Sequence, residues 1–346
     1  MSHDVEGVDA ARVTEWFAVH VPGAKAPLTF DLIAGGHSNL TYRVGDAADG
    51  AWVLRRPPLG HVLATAHDMG REHAVISALE PTDVPVPVTR GLCTDDAVNG
   101  APFYVMDFVD GTVVRNADIA RASFTEAQRA TAGRSIIDVL ARIHDVDVDA
   151  VGLGELGRRE DYIARQLKRW HGQWEKSKTR ELPVVEEVHA GLSAAIPAQP
   201  RTSIVHGDYR LDNCLLGADG EVVAVLDWEI CTLGDPLADV GLLMVYWPEP
   251  GDEHEILANA PTTVDGFPRR AELLDRYADT SGLDLSGIDY YVAFGYWKLA
   301  CIVQGVYARY VGGAMGEGRS GPEFDVFAQQ VEALARAAAA ALERTA

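Results

Sequence analysis

Hydrophobic positions along this chain follow two periods. Apolar residues recur at helical spacing near 8–20, 68–80, 124–144, 158–177, 182–196, 269–280, 288–310 and 324–343, and each segment predicts a helix. In 124–144 the core face is carried by Ile136, Ile137, Leu140 and Ile143, and in 158–177 by Ile163, Leu167, Trp170 and Trp174. Between the first two helices, LTFDLIAGG, SNLTYRVG and Ala51–Arg56 alternate with the period of two that marks strands. That alternation puts Val53 and Arg55 on one face and Leu54 and Arg56 on the other. Val84-Pro85-Val86-Pro87 reads as an extended connector and Phe103–Met106 as a buried strand. The pattern is therefore α+β, a small β-rich lobe over 1–108 followed by a large helical lobe over 109–346.

Composition narrows the class. A chain of 346 residues with 47% hydrophobic content and a mean hydropathy of -0.03 suits a globular protein with a substantial core. The net charge of -21 argues against a nucleic-acid partner, which asks for a basic face. Lys298 and Arg309 interrupt the most apolar late helix, so no membrane span is expected there. Cys93, Cys214, Cys231 and Cys301 form no CxxC pair, and the first residues are acidic and polar; both point to reduced thiols and a cytoplasmic location. Gly152, Gly154 and Gly157 match G-x-G-x-x-G, but Asp145, Asp147 and Asp149 before them are too charged for a buried parallel strand, so this is a loop.

The chemistry concentrates between Ile204 and Asp239. IVHGDYRLDNCLL carries His206, Asp208 and, five residues later, Asn213; VVAVLDWE then places Asp227 at the end of an apolar strand. An Asp able to take a hydroxyl proton, with an Asn and a second Asp able to hold magnesium, is the set phosphoryl transfer requires. Asp235-Pro236 reads as N-cap and first residue of a helix that contains Asp239. Upstream, Gly35, Gly36, His37 and Ser38 form a tight turn whose backbone N–H groups suit a phosphate flap, followed by the Val53/Arg55 face. Glu72 is the expected partner of Arg55, and Asp107 to Gly111, with Asp107 and Val109, the expected adenine-binding hinge.

HGDYRLDN, LDWE and LGDPLAD resemble the aminoglycoside-phosphotransferase and choline-kinase family, relatives of the protein kinases. QLKRWHGQW and VLRRPP are similar to one branch, the phosphotransferase domains fused to acyl-CoA dehydrogenases. The resemblance implies a protein-kinase-like two-lobed fold, ATP (or GTP) with Mg2+, and transfer of the γ-phosphate to a hydroxyl of a small molecule. In it Asp208 is the base, Asn213 and Asp227 hold the metal, and Arg55 stands where most kinases carry Lys. His206 joins the catalytic group as a brace, and Asp239 turns back onto the catalytic loop. Two alternatives stay open: an aminoglycoside as acceptor, or a nucleotide-binding scaffold without catalysis. Acceptor contacts are expected from Trp247, His254, Tyr291, Trp297 and Tyr307, and nothing in the pattern sets an oligomeric state.

Overall fold

A computed structural model describes residues 5–34, 39–59, 68–252, 259–311 and 325–345. The first lobe begins with α1 (Ala10–His20), whose N-cap Asp9 accepts from the Arg12 amide. Strands β1 (Thr29–Ala34), β2 (Leu40–Gly45) and β3 (Ala51–Arg56) lead to α2 (Met69–Leu79), capped by Asp68. Then come β4 (Thr89–Cys93), the one-turn α3 (Asp96–Asn99) and β5 (Phe103–Asp107). The five strands make one antiparallel sheet in the order β1-β2-β3-β5-β4.

The second lobe opens with α4 (Ala117–Ser123) and α5 (Glu126–Asp145), which starts in a Thr125/Gln128 capping box. α6 (Tyr162–Ser177) and α7 (Pro183–Ala194) follow. Four short strands come next: β6 (Ser203–Val205), β7 (Cys214–Leu216), β8 (Val222–Val225) and β9 (Thr232–Gly234). They pair as two small antiparallel ladders, β6 with β9 and β7 with β8. α8 (Leu237–Val245), α9 (Arg270–Ser281), α10 (Ile288–Val311) and α11 (Asp325–Glu343) complete the lobe.

The sheet is buried on both faces. One face packs Phe30, Tyr42, Trp52, Leu54 and Val105 against Val13, Trp16 and Phe17 of α1. The other face, with Val53, Tyr104 and Met106, joins α2 and the helices of the second lobe in one continuous apolar core. The lobes therefore share their packing, and the chain crosses between them over a short span near Phe108. β4, α3 and α4 were not foreseen in the pattern, and two further details differ from its reading. Pro236, not Asp235, is the cap position of α8, although Asp235 Oδ1 still accepts from the Leu237 amide at 3.0 Å. β8 stops at Val225, so Asp227 lies on a turn beyond the strand rather than at its end.

Candidate active site

The two small ladders explain how residues 206–227 form one centre. β6 pairs with β9, and β7 with β8, so the segments carrying Asp208, Asn213 and Asp227 leave strand ends that are fixed side by side. Leu226 N–H donates to Asn213 O at 2.8 Å, stitching the two turns together. Gly207 holds φ at +87°, and a Cβ there would stand 3.1 Å from the Ile230 side chain, so glycine suits both the bend and the space. Asp227 also sits in the left-handed region, at φ 66° and ψ 57°. That conformation is uncommon for a residue with a Cβ and is held here by the ladders on either side.

Asp208 is surrounded by donors. Asn213 Nδ2 reaches its carbonyl at 2.8 Å and its Oδ2 at 3.0 Å. Arg210 Nε lies 3.4 Å from the same Oδ2, with its guanidinium 4.9 Å from the Tyr246 ring. Asn213 spends its amide nitrogen on Asp208 while the residue lines the main cleft. Tyr209 anchors the loop from below, its hydroxyl donating to Ile136 O at 2.8 Å.

Asp239 turns back onto the loop. Its carboxylate accepts from His206 N at 2.6 Å and Gly207 N at 2.9 Å, with His144 Nε2 at 3.4 Å. Burial works against that charge, but His144, His206 and the Gly207 amide more than offset it, and its pKa lies below the ordinary value. His206 is wholly buried; Asp208 N–H donates to its Nδ1 at 3.3 Å, which puts the proton on Nε2, facing Leu226 O at 3.0 Å. It cannot touch a substrate, so its grouping with the catalytic residues gives way to a positioning role.

Arg55 comes from β3 and crosses the cleft. Its Nη2 donates to Asp227 Oδ1 at 2.6 Å, its Nε lies 3.3 Å from Glu72 Oε2, and Glu229 Oε2 is 4.0 Å away. Burial opposes the charge on Arg55, yet Glu72, Tyr104 and Asp227 outweigh it and raise its pKa. Glu72, 1% exposed, is pushed up to about 7 by burial against the pull of Arg55; Glu229 reaches about 7 by burial and the nearby Asp227 charge. Beside Glu72 on α2, Arg71 reaches into the other lobe, donating to Leu156 O at 2.9 Å and Cys231 O at 2.5 Å.

These groups frame a cleft of about 530 Å³ lined by Val53, Arg55, Met106, Val109, Asn213 and Asp227 among others. Val109 N–H has no acceptor among the described residues, while Asp107 N–H is taken by Val88 O at 2.8 Å. The Asp107 carboxylate is held by Arg90, with Nε at 2.6 Å, so only the position of Asp107 on the cleft wall matches the hinge expectation. A smaller cavity of about 250 Å³, lined by Tyr246 and Pro261, shares Arg115, Arg210 and Asp212 with the cleft. The sequence offered no signal for this annex beyond the Arg of HGDYR.

The flap residues Gly35, Gly36 and Ser38, and also His254, lie outside the described residues. The other expected acceptor residues are not brought to the cleft. Trp247, Tyr291 and Trp297 are buried structural groups that donate to Pro268 O, Asp235 Oδ2 and Val185 O, and Tyr307 is half-buried on α10. A large aromatic on a late helix satisfies the core first, and spacing alone could not separate the two fates. A second cluster, His171, Glu186 and His189, brings donor atoms close together. Its imidazoles stack face to face at 4.0 Å and 6°, so their lone pairs run parallel and do not converge on one ion.

The donors at the cleft suit a hard divalent cation. The Asn213 amide and Asp227 carboxylate are oxygen ligands, and Asp227 is now neutralised by Arg55, the position a cation would contest.

Comparison with known proteins agrees with this geometry. Residues 29–273 match the model of the phosphotransferase enzyme family. Acyl-CoA dehydrogenase family member 10 of Mus musculus is 36% identical over 294 residues, covering 84% of this chain and 27% of the relative. Family member 11 of Homo sapiens is 30% identical over 345 residues, covering 97% of this chain and 43% of the relative. The chain thus spans less than half the length of these relatives. A Ralstonia eutropha protein, solved as a candidate aminoglycoside phosphotransferase, superposes with a TM-score of 0.83 at 31% identity, covering 97% of this chain and 98% of that one. Aminoglycoside 2'-phosphotransferase-IIIa in its GDP complex gives a TM-score of 0.62 at 12% identity, over 96% of this chain and 99% of that one, a likeness of fold. Sheet, helical lobe and catalytic segment together are those of an aminoglycoside-phosphotransferase-like kinase fold, and the chain belongs to the phosphotransferase enzyme family.

Proposed function

We propose that the protein transfers the γ-phosphate of ATP, with magnesium, to a hydroxyl group of a small molecule. The observation that carries this reading is the convergence of Arg55, Asn213 and Asp227 on one cleft, with Asp208 hydrogen-bonded to the Asn213 that lines it. Asp208 orients the acceptor hydroxyl and receives its proton, and Asn213 holds the Asp208 carboxylate in place. Arg55 moves from Asp227 to the phosphates, while Glu72 keeps its guanidinium extended into the cleft. Bound magnesium, held by Asn213 and Asp227, supplies the neutralisation of phosphate charge that the reaction needs. Val53 and Met106 cover the base, and the Val109 N–H, which has no acceptor among the described residues, supports adenine binding by the hinge. GTP remains the alternative nucleotide, and residues 1–108 and 109–346 are the two working lobes.

The acceptor occupies the annex at Arg115, Arg210 and Tyr246, from which Arg210 reaches the Asp208 carboxylate. The relatives named for acyl-CoA dehydrogenation favour a hydroxylated acyl compound over an aminoglycoside. A polycation would require free carboxylates, yet Asp252 and Glu249 are already bound to Arg270 and Arg269. The test is ADP release with Mg–ATP across hydroxy acids, simple alcohols and aminoglycosides. Asp208→Asn should lower turnover of the best acceptor by about 10²–10⁴ while ATP still binds. Saturable phosphorylation of kanamycin at physiological salt would move the acceptor assignment to aminoglycosides. Normal turnover by Asp208→Asn would refute the mechanism.

A further inference from the structure

Lys298 of α10 is 5% exposed, an unusual place for an ammonium. Its Nζ donates to Gly207 O at 2.8 Å and lies 5.7 Å from the centre of the Trp170 ring. Among the described residues it forms no ion pair within 4.0 Å. A buried cation without a counter-ion in contact is costly unless fixed dipoles and more distant charges support it. Here the supports are the Gly207 carbonyl, the face of Trp170 on α6, and the carboxylates of Asp208 and Asp239. Arg169, also on α6, works against it.

The carbonyl that Lys298 grips belongs to the residue immediately before Asp208. Gly207 is already held through its N–H by Asp239 on α8. Its two peptide groups are therefore fixed from opposite sides, by an acid on one helix and a base on another. With a glycine at φ +87°, the 206–208 segment has no side chain of its own at that position to lock the backbone.

We infer that Lys298 is a positioning residue for phosphoryl transfer: by clamping the Gly207 carbonyl from α10, it sets the direction in which Asp208 faces the acceptor. This rests on the kinase reading above. The clamp leaves the nucleotide cleft alone, because Lys298 lines neither cavity of the site. It makes the late helix α10 part of the catalytic apparatus through its buried cation, while its buried Tyr291 and Trp297 spend their donors on Asp235 Oδ2 and Val185 O and line neither cavity.

The test uses Mg–ATP with water as acceptor, read as phosphate release, so no acceptor need be known. Lys298→Met should bind Mg–ATP within about twofold of the parent chain and lose about a hundredfold in kcat, the scale of a misplaced reacting group. Lys298→Arg, which restores a cation and a donor, should recover part of that loss. Hydrogen exchange should accelerate in the peptide around 205–211 of Lys298→Met and stay unchanged in β1–β3. Where Lys298→Met does not fold, Lys298→Gln carries the same comparison. Unchanged kcat or unchanged exchange overturns the proposal, and so does an equal loss of kcat and ATP affinity, which would mark general unfolding of the lobe. Absence of both ATP binding and hydrolysis in the parent chain would instead defeat the kinase reading, and the positioning role with it, while exchange still shows whether the clamp exists.

Discussion

Removing the Arg55 side chain separates the ion pairs that the structure shows from the phosphate contact proposed for the same residue. Arg55→Ala deletes the contacts to Asp227 at 2.6 Å and to Glu72 at 3.3 Å. Asp227 is half-buried and recovers water, but Glu72 is 1% exposed and cannot. Breaking a buried pair from one side costs about 3–5 kcal/mol when the remaining charge must stay. Glu72 has an escape, because burial already holds its carboxyl up to about 7 and loss of Arg55 raises it further. The native state of the variant therefore binds this proton more tightly than the unfolded chain does, and stability falls as pH rises through that range. We expect a loss of about 3 kcal/mol near pH 8 and about 1 kcal/mol near pH 6, read by urea unfolding at both. Binding should respond differently. ATP loses a charge-assisted contact worth about 1.5–3 kcal/mol, roughly tenfold to a hundredfold in Kd, whereas adenosine loses nothing. Arg55→Lys should recover part of the ATP affinity. Calorimetry that showed equal losses for ATP and adenosine would refute the phosphate role and leave Arg55 as a residue of folding alone.

Asp227→Ala should abolish the magnesium dependence of ATP binding, measured by titration with and without the ion; a persisting dependence would place the metal elsewhere. Asp235, pushed up to about 6 by burial against the Tyr291 hydroxyl and Leu237 amide, should favour stability below pH 4 and lose roughly 3 kcal/mol as pH rises through 6. Asp235→Asn should flatten that slope in melting curves, and an unchanged slope would assign it to other acids. Trp297→Ala should cost about 3–5 kcal/mol of stability, because the indole is wholly buried and donates to Val185 O. A change confined to acceptor KM would restore Trp297 to the substrate site.

Much of the fold was legible because helical periods in this chain are long and well bounded. The segment expected over 288–310 is observed as Ile288–Val311, and that over 158–177 as Tyr162–Ser177. The site residues of the second lobe were legible because they lie within one short stretch of chain and local ladders hold them. Residues whose meaning depends on distant partners were harder. Nothing in Asp227 announces that Arg55, 172 positions earlier, will reach it. β4 and α3 passed unnoticed because Thr89–Cys93 reads Thr-Arg-Gly-Leu-Cys, with Gly91 at its centre, and shows no apolar alternation. Lys298 was read only as a charge that breaks a membrane span, since a lone Lys among apolar residues carries no sign of whether it faces lipid, water or a carbonyl.

Arg71 gives α2 a meaning for control. In protein kinases the pairing of a strand cation with a helix glutamate must be assembled before phosphoryl transfer, and moving that helix is a means of regulation. Here the residue beside Glu72 is tied to Leu156 O and Cys231 O of the opposite lobe, and α2 packs on the turn that follows Asp227. These contacts hold α2 against the opposite lobe in the position that pairs Glu72 with Arg55. On the phosphotransfer reading proposed above, displacing α2 would have to break both carbonyl contacts of Arg71 as well as the Arg55–Glu72 pair.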